Sequence, residues 1–84
     1  MRKHIRINGS NEIAKVVEKS LDEYFRRLDG EVPSGIYDMV IMNVERALIG
    51  SVMARANGNQ TQAADMLGVN RNTLRSKLAK YDIG

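Results

Sequence analysis

Eighty-four residues with a net charge of +3 make one domain at most, and a body this small exposes much of its apolar area. The absence of cysteine excludes a disulfide framework and thiolate metal sites and fits a reducing cytoplasm. Apolar runs of a few residues and a charged N-terminus without an apolar stretch predict neither a membrane span nor a secretory signal.

The charge is unevenly placed. Residues 1–11 carry Arg2, Lys3 and Arg6 without an acid; residues 12–54 carry five bases against eight acids; residues 55–84 carry five bases against two. An acidic middle between basic ends suits a C-terminal region that faces a polyanion. Ordinary surface scatter would give the same tally, so charge alone decides nothing.

Residues 1–11 read as a flexible basic arm. Ile5-Arg6-Ile7 before Asn8-Gly9 resembles half of a hairpin, but Ser10-Asn11-Glu12 offers no apolar alternation for the return strand. The first helix is predicted from about Glu12 to Leu28, with Ile13, Val16, Val17, Leu21, Tyr24, Phe25 and Leu28 at three- and four-residue spacing. Ser10 or Asn11 can cap it, and Asp29-Gly30 ends it. Pro33 and Gly35 break the chain, with Ser34 as a cap for the next helix.

That second helix is predicted from about Ile36 to Ala56, closed by Asn57-Gly58. Its apolar stripe is Tyr37, Val40, Ile41, Val44, Ala47, Leu48 and Val52, widened by Met39, Ile49 and Met53. At 1.5 Å per residue it is roughly 30 Å long, and a first helix of roughly 25 Å with two short helices is too little to cover it. Pairing residues 12–58 of two chains into a dimeric four-helix core solves the shortage. Burying four extra Val or Leu side chains there contributes roughly 6–12 kcal/mol gross. A compact monomer with a second helix bent at Gly50 is the alternative.

Residues 59–84 read as a helix-turn-helix. The third helix runs from about Gln60 to Leu67 and the fourth from about Asn70 to Tyr81, completing an all-α chain of four helices. Ala64 lets the two short helices cross closely, and Gly68 supplies the positive φ that stops the first of them. Val69 is expected to plug the gap between them. Asn70 can cap the fourth helix, whose apolar side is Leu74, Leu78 and Tyr81. Arg71, Asn72, Thr73, Arg75, Ser76 and Lys80 occupy its other side, an inventory suited to phosphates and base edges. Lys77 lies toward the apolar edge, where packing of its stem competes with phosphate contact.

From Leu21 to Tyr81 the chain resembles the Fis family, the factor for inversion stimulation: small nucleoid-associated DNA-bending proteins of bacteria. The resemblance rests on Tyr24-Phe25, Leu28, Gly30, Tyr37 and Val44-Glu45. It continues through Gly58-Asn59-Gln60-Thr61-x-Ala63-Ala64 and Gly68-Val69-Asn70-Arg71-x-Thr73-Leu74-Arg75-x-Lys77-Leu78. The C-terminal part alone also resembles the DNA-binding domains that end bacterial enhancer-binding activators.

The resemblance implies a cytoplasmic, nucleoid-associated homodimer that regulates transcription. Its two recognition helices would be set closer than the roughly 34–36 Å of one B-DNA turn. The duplex must then bend and narrow its central minor groove, at a cost of order 1–6 kcal/mol that A·T-rich steps reduce. Asn70 and Arg71 would reach base edges, Arg71 reading a guanine with its two-pronged donors. Arg75 would lie along the groove, Thr73 and Lys77 would hold phosphates, and Ser76 and Lys80 complete the DNA-facing set. Asn59, Gln60 and Thr61 would anchor the backbone where a helix N-terminus offers free N–H groups.

Departures from the family pattern at Asn57, Gln62, Asn72, Ser76 and Ala79 remove bases or a glycine. Each lost phosphate contact flattens the salt dependence by about 0.9 of a slope unit, so wrapping of flanking DNA is expected to be reduced. RNA polymerase and recombinases are further partners the family raises. The short N-terminal arm argues against the recombinase role.

The remaining features read plainly. Met39, Met42, Met53 and Met66 are expected to fill core or interface. His4 stands without a second ligand at helical spacing, and Asp22-Glu23 lie on a solvated face. No P-loop, nucleophile elbow or metal motif is present, so neither an enzyme nor a cofactor is expected. A helical protein-interaction module built on the long apolar helix is the competing class.

Overall fold

The computed structural model describes residues 11–84, and all regular structure there is α-helical. The helices are α1 (Asn11–Leu28), α2 (Ile36–Arg55), α3 (Gln60–Leu67) and α4 (Arg71–Lys80), each within about a residue of the expected bounds. The arm and the alternative hairpin expected over residues 1–11 lie outside the described residues, save that Asn11 opens α1. No described helix is long and apolar enough to cross a membrane. The chain forms two compact units, one ending at Ile36 and the other Tyr37–Gly84.

In the first unit, α1 carries Glu12 in its first turn and Arg26 and Arg27 in its last, charges that complement the helix dipole at both ends. Tyr24 and Phe25 meet edge to face with ring centroids 5.5 Å apart. Leu28 O accepts from Glu31 N after the chain turns through Asp29 and Gly30, both at positive φ. The expected stripe is only partly covered: Ile13, Val16 and Phe25 are exposed, and no described residue of α1 is buried.

In the second unit, the core is Ile49, Met53 and Ala56 of α2 and its end, Ala63 and Ala64 of α3, and Leu74, Leu78 and Tyr81 of and after α4. Leu74 is its largest fully buried side chain. Ala63 and Ala64 let α3 approach closely, since neither side chain extends beyond Cβ. Asn57 and Gly58 close α2 in the left-handed region, with Gly58 N donating to Met53 O at 3.0 Å. Gly68 has φ 75° and donates to Ala64 O at 2.9 Å, so the left-handed cap between α3 and α4 falls where glycine stands.

The α2 stripe expected to be too long for one chain to cover is largely exposed: Tyr37 is 75% exposed, Leu48 51%, and Ile41 and Val44 are exposed with them, whereas Val52 packs against the core. The residues thought only to widen it, Ile49 and Met53, are the buried ones. They sit roughly a third of a turn away, because 3.6 residues per turn separate positions 41, 44 and 48 from 49, 53 and 56. Helix α2 therefore has two apolar sides, and α3 and α4 cover one. Val69 does not plug the crossing; it is 41% exposed, on the rim of a shallow groove with Leu48, Leu67 and Leu74, and Ala64 fills the crossing instead. Met66 also faces solvent, whereas Met53 is buried and Met42 packs against the core.

Candidate nucleic-acid interface

Two capped helix starts define the candidate surface. Asn59 adopts extended backbone and its side chain accepts from Gln62 N at 3.0 Å, fixing the first turn of α3. Asn70 does the same for α4, accepting from Asn72 N at 2.7 Å. Neither first turn contains an acid, so the partial positive charge of both N-termini is uncompensated by side chains of those turns. Arg71 Nη1 donates to Thr61 Oγ1 at 3.3 Å, which brings the two starts together.

Helix α4, RNTLRSKLAK, holds four bases and no acid. Leu74 and Leu78 are buried, and Arg71, Asn72, Thr73, Arg75, Ser76 and Lys80 are exposed. The helical repeat sets Arg71 and Arg75 on one flank, Thr73 and Lys77 on the other, with Asn72, Ser76 and Ala79 away from the core. A helix so decorated can present its outer side to base edges and its flanks to the two phosphate walls of a groove. Asn59, Gln60 and Thr61 are exposed as well.

Lys77, at the apolar edge where stem packing competes with phosphate contact, is paired within the chain. It is half-buried, and its Nζ lies 3.2 Å from Glu45 Oε1 on α2. The same carboxylate oxygen accepts from the Tyr81 hydroxyl. The Tyr81 hydroxyl, with the Lys77 ammonium second, holds the Glu45 carboxyl below the usual carboxylate range. Conversely, donation to Glu45 and partial burial push the Tyr81 phenol up. Arg46 and Lys80 lie 5.5 and 5.4 Å from the Tyr81 ring centroid. Tyr81 thus joins the apolar core to a polar clasp that ties the end of α4 to α2.

Sequence reasoning left Glu45 and the Tyr81 hydroxyl without a role. A signal was present: Glu45 is four and eight residues before Ile49 and Met53, on the side of α2 that turns inward. A carboxylate in that register requires a donor.

Residues 41–81 match the family described as bacterial regulatory protein, Fis family. A Fis-like DNA-binding protein of Ralstonia nicotianae is 52% identical over 87% of this chain and 95% of its own length. The chain belongs to the Fis family. A Fis-like DNA-binding protein of Neisseria meningitidis is 44% identical over 86% of this chain and 91% of its own. The DNA-binding protein Fis of Glaesserella parasuis is 46% identical over 81% of this chain and 69% of its own. Membership of the Fis family extends through α1 and α2 and does not rest on the helix-turn-helix alone, since these alignments exceed residues 41–81.

Proposed function

We propose that this chain is a homodimeric DNA-binding and DNA-bending protein that acts on the bacterial nucleoid and in transcription regulation. The observation that carries the reading is the exposed polar side of α4, whose charged residues are all basic, docked through Leu74 and Leu78 and joined at Arg71 to the start of α3. The relatives' names, which describe DNA-binding proteins, agree with it.

In this reading Asn70 and Arg71 reach base edges, Arg75 lies along the groove, and Asn59, Gln60, Thr61 and Thr73 hold the phosphate backbone. Ser76 and Lys80 line the same surface. Residues 59–84 form the DNA-binding region and residues 12–58 pair two chains. The outer side of α2, with Tyr37, Ile41, Val44 and Leu48 exposed, supports that pairing. A closely spaced pair of recognition helices then selects duplexes whose A·T-rich centre bends readily.

The deciding experiment is duplex binding followed by fluorescence anisotropy across a salt series. Arg71→Ala and Arg75→Ala should each remove most binding while leaving helix content and oligomeric state unchanged. Wild-type affinity should fall steeply with salt. Variants that bind an A·T-rich duplex as wild type does would favour a protein-interaction module built on α2. Bending is read separately by moving the site along a fixed-length fragment, and uniform gel mobility at every position would refute it.

A further inference from the structure

Thr61 and Arg71 have separate tasks when read as sequence: one anchors the backbone, the other reads a base. The structure joins them, with the Arg71 guanidinium donating to Thr61 Oγ1 at 3.3 Å across ten residues. Both ends of that bond are set by backbone geometry. Thr61 lies in the first turn of α3, fixed by the Asn59 cap, and Arg71 begins α4, fixed by the Asn70 cap. The intervening turn is closed by Gly68 and Val69, which both donate to Ala64 O.

The chemistry lets one hydroxyl do two things. A threonine hydroxyl has one donor and two acceptor sites, and the guanidinium occupies only an acceptor site. Its O–H remains available to a phosphate oxygen. The guanidinium has five N–H groups in a fixed planar fork, so one bond to Thr61 leaves donors for a two-pronged contact and fixes their plane. An exposed arginine without such a tether has many rotamers to surrender on binding.

We propose that Thr61 is a positioning residue for Arg71: its hydroxyl orients the guanidinium for guanine, making Thr61 a determinant of base preference as well as a backbone anchor. This rests on the base-reading role given to Arg71 above. A hydroxyl that served only a phosphate would strengthen binding to every sequence alike. A hydroxyl that orients the reading side chain strengthens binding most where the guanine is present.

The test compares two duplexes with the same A·T-rich core, one carrying G·C pairs at its outer positions and the other A·T pairs there. The ratio of their affinities is measured for wild type, Thr61→Val, Thr61→Ser, Arg71→Ala and the Thr61→Val/Arg71→Ala double variant, with thermal melts to check folding. Thr61→Val should lower the ratio about fivefold, the worth of one hydrogen bond. Thr61→Ser should keep it, and Thr61→Val should not change it further once Arg71 is alanine. Where valine impairs folding, Thr61→Ala serves in its place. Equal weakening of both duplexes by Thr61→Val, leaving the affinity ratio unchanged, would leave Thr61 a phosphate anchor only and overturn the proposal. A ratio insensitive to Arg71→Ala would instead refute base reading by Arg71, and the positioning role with it.

Discussion

Placing a charge on the outer side of α2 should separate the proposed dimer without unfolding the subunit. Tyr37, Ile41, Val44 and Leu48 recur at four, three and four residues, and all are exposed in the single chain. Fully burying a large apolar side chain is worth about 1.5–3 kcal/mol; with roughly half of that still available at each position, pairing gains about 3–6 kcal/mol per subunit. Two subunits double this to about 6–12 kcal/mol gross, before the cost of association. Leu48→Glu puts a carboxylate on that side, where desolvation without a partner opposes pairing. Sedimentation equilibrium over a concentration series should find wild type at twice 9.4 kDa and Leu48→Glu shifted strongly toward monomer. Duplex affinity should fall in parallel, because one recognition helix alone makes half of the contacts. A folded wild type that sediments as a monomer at every concentration would refute the reasoning.

The clasp between α2 and α4 supplies a pH prediction. Because the folded-state carboxyl of Glu45 is held low, its contribution to stability is present above the ordinary carboxylate range and lost as pH falls through the folded value. Thermal melts from about pH 6 downward should show wild type losing its advantage over Glu45→Gln as acid is added, and a constant difference would refute the clasp. Tyr81 behaves in the opposite sense: its contribution is present below the ordinary phenol value and lost as pH rises through the raised one, so Tyr81→Phe should be less sensitive to alkali. Lys77→Gln should change the salt slope of duplex binding by much less than the 0.9 or so of a free phosphate ligand, since Glu45 already neutralises this ammonium. Leu74→Ala, at a side chain only 1% exposed, should destabilise the fold by about 3–5 kcal/mol and abolish duplex binding with it.

Local signals in the chain were strong wherever one residue dictates one backbone conformation. Asn59, Gly68 and Asn70 fall at a cap, a left-handed turn and a cap because their side chains, or the lack of one, satisfy needs that arise within four residues. Helix bounds followed from these positions. What periodicity could not rank was the two sides of α2. Its apolar residues spread around much of the circumference, and nothing local says which side α3 and α4 cover and which stays exposed. The inner side is chosen by α3 and α4, whose small Ala63 and Ala64 and large Leu74 and Leu78 fit against Ile49 and Met53. The pairing of Lys77 was not legible for a related reason: its partner, Glu45, is 32 positions away in the sequence, and no local rule links them. Val69 shows the reverse error, an apolar residue in a motif assumed to be buried by its type.

In the proposed dimer the two sides of α2 would connect assembly to DNA geometry. Its inner side is bolted to α4 by Ile49 and Met53 against Leu74 and Leu78, and by Glu45 against Tyr81 and Lys77. Apolar packing fixes the distance between the helices, while the directional polar clasp opposes rotation of α4 about its own axis. With α4 held rigidly on one side, whatever pairs on the other side sets the separation of two recognition helices in a dimer. The protein cannot then adjust that separation to a straight duplex without breaking its own core. In the proposed dimer deformation would then fall on the DNA, whose elastic cost depends on sequence at base pairs the protein never touches. A loosened clasp should relax that constraint, so Glu45→Gln is expected to bind A·T-rich and G·C-rich centres more equally than wild type does. Undiminished preference for the A·T-rich centre in that variant would mean that apolar packing alone holds α4 in place.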